Sequence, residues 1–262
     1  MRKNARMKPI HQLLIVGVLL AGCVGAGIAP PKEQVARIKR AQIVAMEAHP
    51  LGLPAEFSAG ALAAAPVPGA GIVSIVGILV EMPAASKRGG EQSQSLQAAL
   101  EAKQTWVPTV VLANEVRAQL EAGGIDATLS PGVKPIPGVE DRSYTVFMEN
   151  WMAPIRAWYN NTEPVSDYSA LSSDQPTYVL EVGILNYEIV GGKLLLQVNI
   201  KLIDPSNGGV IGRARAADPP HMPTVDPLDQ AFADDGKIFK EVFASEGRKL
   251  VKECLAELGL IQ

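Results

Sequence analysis

Residues 178–203 read YVLEVGILNYEIVGGKLLLQVNIKLI, and this stretch decides the fold. Tyr178–Val190 and Lys193–Ile203 are rich in β-branched and aromatic side chains, which favour strands. Gly191 and Gly192 between them suit the positive φ angles of a two-residue hairpin turn. In the second segment apolar residues alternate largely with polar ones, so we expect one buried face and one mostly solvated face. The stretch therefore predicts an antiparallel hairpin.

A third strand follows the hairpin. The turn DPSNGG at residues 204–209 leads into Val210–Ala216, which places Arg213 and Arg215 on the same face of the strand. Two arginines at this spacing suit either an anion site or a solvated strand face, and we favour the solvated face. Together with the hairpin, this segment predicts a C-terminal β-meander.

The chain ends in a predicted long helix over Gln230–Leu258. Its apolar side chains recur at helical spacing, and Gly259 provides a stop. Within the helix, Cys254 is expected to be a buried small apolar residue, and Gly247 to permit close packing. The apolar stripe consists of Phe239, Val242, Phe243, Leu250, Cys254 and Leu258.

Further elements are predicted upstream of the hairpin. The β-branched run Ile72–Met82 fits a central strand buried on both faces. Ala84–Lys103 is a polar loop whose second half has helical character. Trp106–Ala122 predicts a helix that ends at the following glycine pair, and Ile125–Leu129 predicts a short strand. The fold class is therefore α+β, with a small mixed sheet whose C-terminal β-meander packs against helices, including the long C-terminal one.

An aromatic stretch precedes the hairpin and predicts a helix over Val146–Asn160 that Pro154 interrupts. Aromatic side chains with a polar group are favoured at protein interfaces, although core packing is the commoner fate of such a cluster. We therefore keep both interpretations. The candidate partner interface consists of Trp151, Trp158, Tyr159, Arg213 and Arg215.

The N-terminus has the pattern of an export signal. Residues 1–12 are basic, and Leu13–Leu20 form an apolar run less than half as long as the roughly 20 residues that a membrane-spanning helix needs. The run ends in Leu20-Ala21-Gly22-Cys23, which resembles the lipobox of bacterial lipoproteins. That resemblance implies cleavage between Gly22 and Cys23 and acylation of Cys23 with diacylglyceryl and palmitate-type chains. It also implies a lipid-anchored envelope protein, and Val24 favours the outer membrane, facing the periplasm.

The resulting domain organisation has three parts: a signal peptide at 1–22, a lipidated tether at 23–71 and a periplasmic α+β domain at 72–262. Within the tether, Lys32–Ala48 predicts a short basic amphipathic helix that either rests on an anionic bilayer or packs on the domain. His49–Gly71 is rich in proline and glycine and predicts an irregular linker or surface strap.

The order of elements, with the passages IVSIVGILVEM, VVLANEVRAQLEAGG and YVLEVGILNYEIVGGKLLLQVNIKLIDPSNGGVIGRARA, resembles a superfamily of envelope lipoproteins. This superfamily includes the curli-secretion (CsgG-like) subunits, the penicillin-binding-protein activators and the amino-terminal domain of the Tol-Pal propeller protein. The resemblance implies a non-catalytic adaptor that forms homo-oligomeric rings or binds another envelope protein. The two-residue turn at Gly191-Gly192 leaves no room for the membrane-spanning hairpins of secretion pores, so we do not expect a pore.

Charge and residue usage bear on other functions. Of 24 basic side chains, four lie in residues 1–22, so the chain without its signal has 20 basic and 27 acidic side chains, a net charge of −7. Such a balance argues against nucleic-acid binding. The histidines His49 and His221 match no catalytic or metal-binding motif, so we expect no catalytic residue, metal or cofactor. An envelope adaptor is the first functional hypothesis, a small-ligand or glycan binding module the second and an envelope hydrolase the third.

Overall fold

The computed structural model describes residues 27–53, 94–101, 105–140, 142, 149–172, 177–218 and 221–262. The predicted signal peptide, Cys23 and the predicted strand Ile72–Met82 lie outside these residues, as does most of the predicted linker. The described part has an α+β fold, as its sequence predicts.

Five strands form one mixed sheet in the described part of the chain. They are β1 (Arg40–Met46), β2 (Asp126–Lys134), β3 (Tyr178–Val190), β4 (Lys193–Asp204) and β5 (Gly209–Ala217), arranged in the order β2-β1-β3-β4-β5. β1 runs parallel to both of its neighbours, whereas β3, β4 and β5 form an antiparallel meander. The sheet is therefore half parallel and half antiparallel.

The helices are α1 (Lys32–Val35), α2 (Pro108–Ala122), α3 (Glu149–Asn160), α4 (Leu228–Ala231) and α5 (Ala233–Glu257). Residues 94–100 are also helical, in the predicted second half of the polar loop, and Ser169–Leu171 form a 3-10 turn. Among the described helices, none combines the length and the apolar character needed to span a bilayer.

The two-glycine hairpin is confirmed. Gly191 and Gly192 have φ angles of 56° and 71°, and β3 pairs with β4 in register on either side of them. The pairing contains one irregularity between Ile184 and Asn186, where Leu185 forms a β-bulge. A bulge reverses which face later side chains occupy. Tyr187 consequently joins the same core cluster as Ile184.

The sheet lies between two helical layers. On one face, called the α2/α5 face, α2 and α5 cover a large apolar core. Gly247 allows these helices to approach closely, because a Cβ atom there would lie 2.5 Å from Leu112 Cδ2. Cys254 is fully buried in the same core, as predicted. The other face, called the α3 face, is covered by α3 and the segment 161–172.

The predicted basic helix over Lys32–Ala48 is wrong. Only Lys32–Val35 is helical, and Arg40–Met46 is a strand between β2 and β3. A strand inside a three-layer domain buries both faces and so lacks polar alternation; Ile43 is buried towards the α2/α5 face and Val44 towards the α3 face. Residues 40–53 therefore belong to the folded domain rather than to a tether.

Two smaller predictions also need correction. Pro154 lies inside α3 but does not interrupt it, since the helix is continuous over Glu149–Asn160; the proline removes one backbone donor, the N–H that would bond to the Asn150 carbonyl. The second face of β4 is half-buried near the hairpin, at Leu195 and Gln197, and fully buried at Asn199 and Lys201. Helix α3 and the segment after it cover this face, which alternation along a single strand cannot reveal.

A buried ion pair links the sheet to α3. Glu181 and Lys201 are cross-strand partners on β3 and β4, both fully buried, with 3.5 Å between the Lys201 ammonium and Glu181 Oε2. The carboxylate also accepts hydrogen bonds from Trp158 Nε1, the Val165 N–H and the Tyr168 hydroxyl, at 2.8, 2.6 and 3.1 Å. Both carboxylate oxygens are thus satisfied, as a buried charge requires.

The two cations of this cluster donate hydrogen bonds to backbone carbonyls at and just after the C-terminal end of α3. Lys201 donates to the carbonyl groups of Trp158 and Glu163, at 3.1 and 2.7 Å. Arg213, its cross-strand partner on β5, donates to the carbonyls of Tyr159 and Asn160, at 3.0 and 2.6 Å. Positive groups at a helix C-terminus satisfy its last carbonyls and its dipole. Burial lowers the pKa of Lys201, and the nearby Glu181 carboxylate opposes that change.

Breaking this ion pair should destabilise the domain strongly. Lys201→Met leaves the Glu181 carboxylate buried without its ammonium partner, so we expect a loss of about 3–5 kcal/mol in the free energy of unfolding. The double variant with Glu181→Gln should lose less than the two single variants combined, by about 0.5–3 kcal/mol. Urea unfolding of all four proteins measures both quantities.

The matched control is Arg117→Met. Arg117 forms an exposed ion pair with Glu121 at 4.0 Å, and removing it should change the unfolding free energy by less than about 1 kcal/mol. A Lys201→Met protein as stable as the unmodified protein would contradict the role assigned to the buried pair.

Candidate functional site

The structure places most of the predicted interface residues in the interior. Trp151, Trp158 and Tyr159 are 2%, 4% and 0% exposed and form the centre of the α3-face core. Arg213 is also buried, because its guanidinium donates hydrogen bonds to the carbonyls at the end of α3. Arg215 is exposed. The aromatic cluster is therefore part of the core within this chain. The prediction of solvated arginines on β5 is correct for Arg215 and wrong for Arg213.

The segment before α1 is attached to the free edge of β5. Ile28 N–H donates to the Arg213 carbonyl at 2.7 Å, and Arg213 N–H donates to the Ile28 carbonyl at 2.8 Å. This antiparallel bridge continues the sheet by one residue pair. The side chain of Ile28 remains 41% exposed. The chain thus enters the domain five residues after Cys23.

A crevice of about 480 Å³ opens at the carboxyl ends of β1 and β2. Of the described elements, α2, which follows β1 in the chain, lies in one helical layer, and α3, which follows β2, lies in the other. In open α/β sheets, ligands bind at such a topological switch point. The lining residues are Glu47, Ala48, His49, Pro50, Gln97, Glu101, Trp106, Val107, Pro108, Val133, Pro135, Arg142, Trp151 and Tyr187.

Charged groups form one side of the crevice. The Arg142 side chain, which is 47% exposed, donates to Glu47 Oε1 at 2.8 Å, and the second oxygen of Glu47 accepts from the Ile136 N–H at 3.3 Å. Nearby, Gln97 Nε2 donates to Glu101 Oε1 at 2.6 Å. With two carboxylates and one guanidinium, the charged groups in this lining are net negative.

His49 connects the crevice to the β3 bulge. Its ring nitrogens lie 3.1 Å from the Leu185 carbonyl and 2.7 Å from the Pro50 carbonyl. A neutral imidazole carries one N–H, so it can donate to only one of these two acceptors. Burial lowers the pKa of His49 below its ordinary value of 6.5, and the two carbonyl contacts oppose that change. His49 is therefore a folded part of the crevice wall and not part of a loose linker.

Three buried polar atoms of the crevice residues have no hydrogen-bond partner among the described residues. They are Trp151 Nε1, Gln97 Oε1 and the Tyr187 hydroxyl. Burial, with a smaller contribution from the charge of Glu101, raises the pKa of Tyr187 well above its ordinary value. A buried polar group without a partner is costly. Each of these atoms is enclosed by other protein atoms, so the unmade hydrogen bonds lie inside the protein beside the crevice and not on its open surface.

The other side chains that could act as metal ligands, bases or nucleophiles are either isolated on the surface or packed in the core. In the described ranges, no three His, Cys, Asp or Glu side chains converge as metal ligands would. His221 lies on the surface, 2.9 Å from Asp218. Burial raises the pKa of the Cys254 thiol, which contacts the Val198 carbonyl at 3.7 Å. Cys254 is therefore a packed core residue.

Most residues of the crevice cannot be recognised as site residues from the sequence. Tyr187 looks like an ordinary strand residue, and the local pattern places Glu47 and His49 in the predicted tether. One signal was available: His49 and the residues that follow it contain apolar Leu51 and Leu53, which are buried against the sheet. Gly52 pairs with Glu188 beside them.

Comparison with known proteins gives little further information. No family model matches the sequence, and no curated protein matches it. Among solved structures, a PelC dodecamer from Paraburkholderia phytofirmans has 12% identity and a TM-score of 0.38, covering 90% of this chain and 96% of that one. A PelC variant dodecamer from the same organism has 14% identity and a TM-score of 0.35, covering 89% and 95%. Likenesses this distant assign neither family nor function.

The lowered pKa of His49 predicts a loss of stability in mild acid. As the pH falls below 6.5, the unfolded chain takes up a proton on this ring before the folded chain does, so the free energy of unfolding should decrease. Urea unfolding between about pH 7 and pH 5 measures the slope. We expect His49→Gln to reduce that slope.

His221→Gln is the matched control, since the His221 ring is 79% exposed. It should leave the slope unchanged. If the His49→Gln protein keeps the full acid dependence, the buried ring is not its source.

Proposed function

We propose that this protein is a bacterial envelope lipoprotein, anchored through a lipid on Cys23, whose domain acts as a non-catalytic accessory or assembly factor. Its partners are other envelope proteins, including further copies of this chain. The observation that carries the proposal is the backbone pairing of Ile28 with Arg213, five residues after the lipobox cysteine. The sequence resemblance to the CsgG-like superfamily supports the same role.

The short connection constrains where the domain sits. Five residues, even fully extended, span at most about 18 Å. A lipid on Cys23 would therefore hold the β5 edge close to the bilayer, whereas a long linker would leave the domain free to move away. The short connection would therefore hold the domain in one orientation relative to the bilayer.

Exposed basic residues follow the attachment point. Lys32, Arg37 and Lys39 are exposed in and after α1. Basic side chains near an anionic membrane surface each contribute about 1 kcal/mol to binding. The segment that carries them runs from the β5 edge to the start of β1, where the Lys39 carbonyl accepts from the Asp126 N–H of β2. These residues would therefore bring the end of the sheet at which β1 and β2 begin to the bilayer, although they do not form the predicted basic helix.

The opposite edge of the sheet is suited to protein contacts. β2 has no strand neighbour on its outer side in the described part of the chain, and its side chains Asp126 and Thr128 are exposed there. An unpaired edge offers backbone N–H and C=O groups to a partner strand. Pro131 and Gly132 limit such pairing to the first half of the strand.

Replacing Cys23 tests the anchor. Cys23→Ser should abolish labelling by an alkynyl palmitate analogue and release the protein into soluble fractions, because a serine cannot form the thioether. Cross-linking of native membranes should recover partner proteins with the unmodified chain and far fewer with the variant.

Cys254→Ala is the matched control, since this second cysteine is buried and should not be labelled. Unchanged membrane retention of Cys23→Ser would remove the anchor from the proposal. Recovery of only the monomer from cross-linked membranes would remove the adaptor role.

The membrane-facing edge can be tested separately. A tryptophan introduced as Ile28→Trp should be quenched by brominated phosphatidylcholine in vesicles carrying the lipidated protein. Val133→Trp is the control, because Val133 has a similar exposure, 37% against 41%, but lies on the opposite edge of the sheet. Equal quenching at the two positions would rule out the proposed orientation.

A further inference from the structure

We propose that a groove between α1 and the C-terminal end of α5 binds one acyl chain of the lipid on Cys23 when the protein is out of the bilayer. The inference rests on the proposed lipid anchor and adds a binding site for hydrocarbon within the same chain. The groove has a volume of about 480 Å³. It begins beside the point at which the chain enters the domain from Cys23, and this position carries the inference.

The lining of the groove is mainly apolar and partly open to solvent. Two of its residues, Pro30 and Leu258, are buried, and Lys32 and Glu257 are its charged residues. Its exposed or half-exposed apolar residues are Ala29, Val35, Ala36 and Ala256. Covering such a surface with hydrocarbon removes apolar area from water on both sides of the contact.

Backbone groups on the two sides of the groove are paired within their own segments. At the end of α5, the Gly259 N–H donates to the Ala256 carbonyl at 2.9 Å, and at the end of α1 the Ala36 N–H donates to the Lys32 carbonyl at 3.0 Å. An extended peptide in the groove would bring N–H and C=O groups that need partners of their own. An acyl chain has no such groups, so the groove favours hydrocarbon over a peptide.

The groove lies within reach of the lipid. Gly27 passes directly against Glu257, because a Cβ atom at Gly27 would clash with the Glu257 carboxylate. Cys23 is four positions before Gly27. Four residues span at most about 14 Å, and a ligand held on so short a connection has an effective concentration of about millimolar. The lipid on Cys23 is therefore the occupant that the position of the groove favours.

The bilayer competes with the groove for the acyl chain. In the membrane the chain is already out of water, so the groove gives it no further gain. In water, each methylene group that the groove covers favours the bound state about fourfold. The groove would therefore shield part of the lipid while the protein is outside a membrane.

The test uses the full chain, labelled in cells with a palmitate analogue that carries a diazirine near the end of its acyl chain. The purified protein is diluted below the critical micelle concentration of its detergent, mixed with an excess of nitrogen-15-labelled Cys23→Ser protein and irradiated. Mass spectrometry then identifies the cross-linked peptides. We expect cross-links within the lipidated chain, in peptides that contain residues 29–36 or 256–259. In phosphatidylcholine vesicles the cross-links should go mainly to phospholipid.

Ala256→Arg separates the groove from the anchor. It places a long charged side chain in the groove wall, at an exposed position in the last turn of a helix, where arginine is favourable. The melting temperature and the labelling of Cys23 should be unchanged. The groove cross-links formed in water should fall about fourfold or more, because at least one methylene group loses its cover.

Ala118→Arg is the matched control, since Ala118 is an exposed alanine of α2 that does not line the groove. It should leave the cross-links unchanged. Absence of label on Cys23 would overturn the proposed anchor and this site with it. If Cys23 is labelled, the site alone is overturned by cross-links to the nitrogen-15-labelled copy or to detergent, by the absence of protein cross-links in water, or by equal groove cross-links in Ala256→Arg and Ala118→Arg.

Discussion

The buried pair of Glu181 and Lys201, together with Arg213, fixes how the α3 layer meets the sheet. These three side chains occupy neighbouring positions on β3, β4 and β5. Lys201 and Arg213 donate hydrogen bonds to the last carbonyls of α3, and Glu181 accepts a hydrogen bond from the indole N–H of Trp158 on the same helix. The α2/α5 face is held by apolar burial between long elements. The α3 face is covered by one short helix and a loop segment, so its alignment depends on directed polar contacts.

Local chemistry made part of this fold predictable. The hairpin follows from paired glycines between two β-rich runs, and α2 from regular apolar spacing with a glycine stop. The strand β1 was not predictable in the same way. Its residues 40–46 mix apolar and small side chains without a polar repeat, because both faces are buried, and that pattern also satisfies a helical spacing. Only the neighbouring strands determine which interpretation applies.

The same limit applies to the crevice. Its residues come from the end of β1, the segment before α2, the end of β2, α3 and the far half of β3. Those segments are widely separated in the chain, so no motif spacing connects them. Lys201 and Tyr187 illustrate the two ways in which strand periodicity fails: a covering layer buries a charged residue, and a bulge moves a tyrosine into the other core. Both effects arise from tertiary structure.

The bridge between Ile28 and Arg213 gives the domain a defined mechanical path. A pull on the N-terminal segment acts along the direction of β5 and loads the two backbone hydrogen bonds of this bridge in shear, so both must yield together. The backbone of Arg213 takes that load, and its guanidinium holds the end of α3. Arg213 therefore couples the N-terminal segment, which its backbone holds, to the end of α3, which its side chain holds.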